Sequence, residues 1–302
     1  MLILLLDFNK SQSRILNLTI IYSGRMFSLK NATINNKTKK NHKNSTQDYV
    51  IAIPSYDRVE AIINKTLTTL KKGGVAAQCI HIFVANDAER IVYESTVPSN
   101  LYGKIVVGKK GITPQRKFIV KYFKEGAKIV SMDDDVEKFL KLSRDGQKLI
   151  EFKAGDLDKF FRKAFTAIEK KELFIWGIYP MRYAYYMKHN VTTDLRLILG
   201  TTYGFVCRHY RDLIPTVTEK EDYENTILHY LKDGGVMRFN DICLKTIYYS
   251  PGGLGRMDNR FAINEEAAKQ LKVKYPDYVT IYERKNGMKE VRLADKSLIE
   301  EK

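Results

Sequence analysis

Short apolar runs alternate with stretches whose apolar positions return at helical spacing, and this alternation begins at Tyr49. The runs predict strands at Tyr49 to Ile53, Ile80 to Ala85, Lys104 to Val107 and Lys128 to Met132. The stretches between them predict helices at Val59 to Lys71, around Ile91 to Tyr93, and at Pro114 to Lys124. Such alternation builds βαβ units, hence an α/β fold of Rossmann type whose mostly parallel sheet is flanked by helices. Leu157, Phe160, Phe161, Ala164, Phe165 and Ile168 form one stripe along Asp156 to Glu172, a helix packed on a core. Leu173 to Tyr179 reads as a strand, Leu195 to Cys207 as a β-like segment and Glu219 to Lys232 as a helix. A Gly-rich turn at Gly252, Gly253 and Gly255 and a charged terminal tail follow.

Before this pattern, Asn31 to Gln47 is dominated by Asn, Lys, Ser and Thr and offers little to bury. Residues 1–48 therefore read as a basic, mobile leader, and 49–302 as the folded domain. The run Leu2 to Leu6 is broken by Asp7, lacks a preceding basic region and is too short to span a bilayer. No other segment reads as membrane-spanning.

Composition narrows the class. The 302 residues carry a formal charge of +16, which asks for a polyanionic partner, a membrane surface or a very basic solubility strategy, the first being favoured. Cys79, Cys207 and Cys243 are widely spaced and odd in number, which argues against a disulfide framework or a zinc site and for reduced thiols in a cytoplasm.

The strand Lys128 to Met132 ends directly in Asp133, Asp134 and Asp135. Three adjacent carboxylates repel one another by about 1 kcal/mol per pair even in a high-dielectric setting, so a cation belongs among them. Asp133 and Asp135, spaced Asp-x-Asp at a sheet mouth, suit Mg2+ or Mn2+, which keep part of their shell for substrate phosphates. The structural alternative is a solvated acidic turn. The first strand ends in Pro54, Ser55, Tyr56, Asp57 and Arg58, and the second in Asn86 and Asp87, where an open parallel sheet binds its ligand. Asp87 is a candidate for the base or sugar hydroxyls of a nucleotide; taken singly, Ser55, Asp57 and Asp87 are each better explained as helix caps, and three strand ends on one side favour a ligand.

Gly108 to Lys117 forms a basic, glycine-containing loop entering a helix, able to offer N–H groups and Arg116 or Lys109 to phosphate, without a Walker ending. A second acidic group, Glu219, Glu221, Asp222 and Glu224, supplies a candidate base, with Asp222 the choice; a helix first turn complementing its dipole is the alternative. The five histidines show no metal-ligand spacing.

In order, Ile53 to Arg58, Asn86-Asp87, Gly111 to Arg116, Asp133 to Asp135 and Glu221-Asp222 resemble a GT-A-type glycosyltransferase over roughly residues 49–235. The resemblance implies nucleotide or phosphate contacts at Asp57, Asp87, Arg116 and Asp134, Mn2+ or Mg2+ at Asp133 and Asp135, and Asp222 with Glu221 at the acceptor. It also implies a nucleotide-sugar donor, with a UDP-sugar expected first. More narrowly, Trp176-Gly177-Ile178-Tyr179-Pro180, Tyr185-Tyr186-Met187, Gly200 with Gly204, and Glu221 to Glu224 are similar to the TET-associated glycosyltransferases of phages and large viruses. Those are thought to act on hydroxymethylated pyrimidines in DNA, so DNA becomes the expected acceptor and partner. The charge fits: eight basic residues between Lys104 and Lys128 face Glu125 alone. Tyr183, Tyr185 and Tyr186 then either stack on an extruded base or belong to an aromatic core strand. A glycan or protein acceptor, and a non-enzymatic basic nucleic-acid-binding module, remain the alternatives.

Overall fold

The computed structural model describes residues 48–246, 260–285 and 287–294, together with three N-terminal strands. Those strands, β1 (Ile3–Asp7), β2 (Asn17–Tyr22) and β3 (Arg25–Leu29), pair antiparallel in the order β1-β2-β3. They belong to a unit, Met1–Thr46, separate from Gln47–Lys302. The expected leader segment from Asn31 to Gln47 and the turn at Gly252 to Gly255 lie outside the described residues.

The second unit opens with β4 (Tyr49–Pro54). A helical stretch follows, made of α1 (Val59–Ala61), a π turn at Ile62–Leu67 and α2 (Thr68–Lys72). Then come β5 (Ile80–Val84), α3 (Asp87–Thr96), β6 (Lys104–Val107), α4 (Ile112–Tyr122) and β7 (Lys128–Met132). After them run β8 (Lys138–Leu142), β9 (Leu149–Glu151), α5 (Asp156–Glu169), β10 (Ile175–Ile178), β11 (Val191–Thr192) and β12 (Thr202–Val206). The chain continues through α6 (Glu221–Asp233), β13 (Met237–Phe239), β14 (Ile242–Lys245), α7 (Arg260–Lys274), β15 (Val279–Glu283) and β16 (Lys289–Leu293).

Eight strands make one sheet in the order β11-β13-β10-β12-β7-β4-β5-β6. Pairings β4–β5, β5–β6, β4–β7 and β10–β13 are parallel, whereas β12 runs antiparallel to both β7 and β10. The chain builds outward from β4 through β5 to β6, then returns to lay β7 on the other side of β4. That reversal opens a crevice at the carboxyl ends of β4 and β7, where open α/β sheets bind ligands.

Both faces of the sheet are covered, which is why its central strands read as unbroken apolar runs. Along β4, Ile51 and Ile53 join Trp176 and the Phe160, Phe161 and Phe165 stripe of α5, while Ala52 faces Ile119, Phe123 and Phe205 on the α4 side. A smaller sheet, β14-β8-β9, lies beside the large one in sequence and is absent from the sequence reading.

Beyond β14 come elements that the sequence did not announce: α7 and the β15–β16 hairpin bury Ala268, Leu271, Val279 and Val291 against Val217 and Ile227 of the α6 region, while residues 295–302 at the expected charged terminus lie outside the described residues. Few residues of each element are buried, so the apolar pattern there is broken by charged side chains. None of the described helices is long and apolar enough to cross a membrane.

Candidate active site

At the mouth of the crevice, β4 ends in a turn held by side chains from α3. Ser55 Oγ donates to Asp134 Oδ2 at 2.6 Å, so the 2.7 Å contact with Tyr93 has the phenol as donor. Burial pushes the Tyr93 hydroxyl up to about 12, keeping it protonated for that role. Tyr93 Oη also accepts from the Arg58 N–H, and Glu89 accepts from the Asp57 N–H. Asp57 itself is exposed and sits at φ +53°, a left-handed conformation that a non-glycine residue adopts at a cost.

The three carboxylates after β7 divide their work. Asp134 is buried and takes Arg58 Nη1 at 2.8 Å, while Asp135 takes Arg58 Nη2 at 2.9 Å and the Thr246 hydroxyl at 3.0 Å. Burial pushes Asp134 up to about 6, against the pull of Arg58 and Ser55. Thr66, in the π turn, donates to the Asp133 carbonyl and accepts from the Val136 N–H, fixing the backbone on both sides of the cluster.

Asp133 faces the other way. Arg116 Nη2 reaches it at 3.1 Å, and the same guanidinium donates to Glu221 and, at 2.6 Å, to the Gly200 carbonyl. Burial, with Asp135 and Asp134 adding to it and Arg116 opposing, pushes Asp133 up to about 7. Asp222 accepts from the Gly200 N–H at 3.2 Å and the Tyr223 N–H at 3.0 Å, and burial beside Glu221 pushes it up to about 6. One residue before the pair, Lys220 is in the left-handed region at φ +57° and bonds Glu290 of β16. The structure thus brings Asp133, Arg116, Glu221 and Asp222 together around Gly200.

Arg116, expected at phosphate, instead points into this cluster with both terminal nitrogens occupied. Asp87 is exposed in the first turn of α3, capped by Asn86, and pairs with Arg90 at 3.0 Å; no contact joins it to the acidic cluster among the described residues. Glu224 also parts from the acidic group: it is buried and takes the N–H groups of Thr216 and Val217 and the hydroxyl of Tyr275. His229 is buried with Nδ1 3.0 Å from the Asn225 carbonyl, and burial pushes it down to about 4. Sequence reasoning missed Arg58, Thr66 and Thr246 as partners of the aspartates, and Tyr93 as the support of Ser55 and Arg58. For Arg58 its place in the polar turn after β4 was the only signal.

The glycine loop approaches the same mouth. Gln115, buried, accepts from the Lys109 N–H at 2.7 Å and donates to the Val84 carbonyl, and Lys110 lies 5.0 Å over the Tyr56 ring. A cleft of about 400 Å3 opens beside Glu221 and Asp222, walled by Tyr203, Phe205 and Leu213 with Lys117 and Arg211 on its lining.

The sequence profile of the TET-associated glycosyltransferase family matches residues 49–222, from the first strand of the large sheet to Asp222. The chain belongs to that family. The matched TET-associated glycosyltransferase segment holds every residue of the cluster around Arg116. Solved structures are similar at low identity. Residues 1–349 of S. aureus TarS are 13% identical, with 74% of this chain and 65% of that chain covered and a TM-score of 0.46. A longer TarS structure, also 13% identical, has 74% of this chain and 40% of that chain covered at 0.47, so this chain spans less than two thirds of either. Mycobacterium tuberculosis glucosyl-3-phosphoglycerate synthase, in complex with Mn2+, UDP-glucose and phosphoglyceric acid, is 8% identical, with 83% of this chain and 88% of that chain covered at 0.46. No curated protein matches the chain.

A divalent cation must be tested against the donor set. No three His, Cys, Asp or Glu side chains converge on a metal-sized site among the described residues. Mg2+ and Mn2+ nevertheless need only one or two carboxylates where phosphates and water complete the shell. Asp133, with an upward-shifted carboxyl and Arg116 as its single cationic partner, meets that requirement, whereas Asp135 would have to share with the cation the oxygens that Arg58 and Thr246 hold.

Proposed function

We propose that this protein is a metal-dependent glycosyltransferase that moves a sugar from a nucleotide-sugar donor to a hydroxyl, the acceptor being a hydroxymethylated pyrimidine in DNA. The observation that carries the reading is the single guanidinium of Arg116 joining Asp133, at the end of β7, to Glu221, at the start of α6. It couples a donor-side carboxylate to an acceptor-side pair at the topological switch point.

In this reading Asp133 and Asp135 would hold Mg2+ or Mn2+, which would supply charge stabilisation to a departing diphosphate. Tyr56 and Lys110 flank the nucleotide, with Asp57, Asp87 and the buried Asp134 shaping that side; a UDP-sugar is the donor to try first. Asp222 takes the proton of the acceptor hydroxyl as its oxygen bonds to the anomeric carbon and the bond to the diphosphate breaks. A carboxyl shifted up to about 6 is ionised at neutral pH yet basic enough to assist. Arg116 holds Asp133 and Glu221 in register, and Gly200, whose carbonyl it also binds, donates its N–H to Asp222 on the wall of the cleft. The exposed Lys104, Lys109, Lys110, Lys121 and Lys124 support a polyanionic acceptor; Lys128 is instead paired with Asp48 and Glu169, each at 2.7 Å.

The test is a panel of nucleotide sugars with Mn2+, in the presence of hydroxymethylated or unmodified DNA, scoring donor hydrolysis and transfer. Transfer to the modified DNA alone is the expected result. Donor turnover with transfer only to a glycan or protein overturns the acceptor, and no donor turnover overturns the activity.

A further inference from the structure

The segment after β10 was open to two readings, and the structure removes one. Tyr183, Tyr185 and Tyr186 are 64%, 88% and 59% exposed, so they are not an aromatic core strand, and Met181 beside them is 47% exposed. Apolar area of that kind on a soluble surface marks a contact site.

The segment is held rigidly in this exposed state. Tyr186 and Met187 donate backbone N–H groups to Tyr183 and Ala184, the Tyr185 and Tyr186 rings meet edge-to-face at 5.0 Å, and Met187 is buried against Leu142 and Cys243. His189 Nε2 lies 2.9 Å from the Ser143 carbonyl, anchoring the segment to the β8–β9 turn. Rings presented this way lose little freedom when a partner arrives.

Charge identifies the partner. Arg182 and Lys188 on the segment, and Arg144 and Lys148 on the adjoining turn, are exposed and form no ion pair among the described residues, whereas Lys138 and Lys141 of β8 are paired with Glu151 and Asp156. Asp145, the carboxylate in that turn, is taken by the Ser143 hydroxyl and the Gln147 N–H. Phosphates match the four cations, and bases match the tyrosines, but a duplex keeps its bases stacked on each other. Aromatic side chains reach base faces in single strands.

The surface is also within reach of the acidic cluster. Strand β14 accepts the Tyr179 N–H at the Ile242 carbonyl, at the root of the segment, and continues to Thr246, which bonds Asp135. Four residues of strand span about 13 Å, or roughly four nucleotides at ~3.4 Å each.

We propose that Tyr183, Tyr185 and Tyr186 form a stacking platform for unpaired bases of the acceptor strand, flanking the nucleotide to be glycosylated, with Arg182, Lys188, Arg144 and Lys148 on its phosphates. The assignment of the strand as acceptor rests on the transferase reading; the binding does not. It predicts a preference for single-stranded over duplex DNA.

The test is anisotropy of a labelled oligothymidylate and of its duplex with oligoadenylate, with the full chain and variants Tyr185→Ala, Tyr185→Phe and Arg182→Gln. Donor hydrolysis without DNA is measured in parallel. Expected are tighter binding of the single strand, a loss of about tenfold in Tyr185→Ala, retention in Tyr185→Phe, and a shallower salt dependence in Arg182→Gln. Unchanged affinity in Tyr185→Ala, an equal loss in Tyr185→Phe, or duplex bound as tightly as the single strand overturns the platform. If donor hydrolysis is absent while the tyrosine dependence holds, the transferase reading fails and the platform stands; if donor hydrolysis is present without single-strand binding, the platform fails alone.

Discussion

Arg116 Nη2 lies 3.1 Å from Asp133 Oδ1, an ion pair between the first turns of α4 and the end of β7 that is shielded from water on most sides. The same guanidinium serves Glu221 and Gly200, so its removal leaves two carboxylates and a carbonyl without their donor. Arg116→Met should cost about 3–5 kcal/mol and eliminate donor turnover. Arg116→Lys, which keeps the charge but loses the planar fork, should retain most of the stability and little of the turnover. Thermal melts alongside donor hydrolysis check both.

Asp222 gives a pH signature. Its carboxyl is shifted up to about 6 by burial beside Glu221, and only the ionised form accepts a proton. Transfer should therefore fall as pH drops through about 7 and then about 6, where Asp133 and then Asp222 take up protons, and any residual activity of Asp222→Asn should lose only the lower limb. Donor binding should survive that substitution, while turnover drops by about 10^2 to 10^4. A pH–rate profile of both proteins decides it. For stability the sign is opposite: a raised carboxyl favours the fold below its unfolded value near 3.8, and that contribution is lost as pH rises through about 6.

Asp135→Ala should fold normally, because Arg58 keeps its contact with Asp134, yet lose transfer by at least about 100-fold. Mn2+ should raise the melting temperature of the parent protein and leave that of Asp135→Ala unchanged. Chelation of the parent should reproduce the loss, and full activity in the variant would sink the metal assignment.

The central strands were legible because both faces of the sheet are buried, so β6 and β7 lie at the residues their apolar runs predicted. The acidic cluster was legible because three adjacent carboxylates at a strand end repel one another unless something positive lies among them, and Arg58 and Arg116 supply charge there. The partners were not: Arg58 and Thr246 reach the aspartates across 77 and 111 positions, and nothing local marks them. Asp222 was the sequence's choice of base with Glu221 beside it, but nothing local shows that Glu224 turns away, and tertiary contacts send it into the core while the pair lines the cleft. The C-terminal hairpin was hidden because polar residues interrupt its apolar ones, and even a buried position, Glu290, is charged.

Glu224 carries the structural half of that group. It is 1% exposed and collects two backbone N–H groups, the Tyr275 hydroxyl and Lys274. Those partners hold its carboxyl below the ordinary range against burial, so its stabilisation is present above the unfolded value near 4.5 and lost as pH falls through its folded value. Glu224→Ala should cost about 2–4 kcal/mol by leaving buried donors unmet, and the difference from the parent should shrink in acid. Denaturant titrations at pH 7 and pH 4 measure it.

Gly200 and Gly204 separate chemistry from packing within four residues. A Cβ on Gly204 would lie 2.2 Å from the indole of Trp176, which is fully buried among the α5 phenylalanines and has nowhere to move. A Cβ on Gly200 would lie 2.5 Å from Arg116 Nη1, the far end of a side chain that can shift, but only by leaving Glu221. Gly204→Ala should therefore destabilise the fold by at least about 1–3 kcal/mol while the molecules that remain folded keep their turnover. Gly200→Ala should do the reverse, with a melting temperature near that of the parent and donor turnover down by about tenfold or more, the effect expected when a charged positioning group is displaced by about 1 Å. Activity normalised to folded protein for the two variants side by side tests the coupling: equal stability losses would mean that Arg116 is as immobile as Trp176, and full turnover in Gly200→Ala would show that its contact with Glu221 is dispensable.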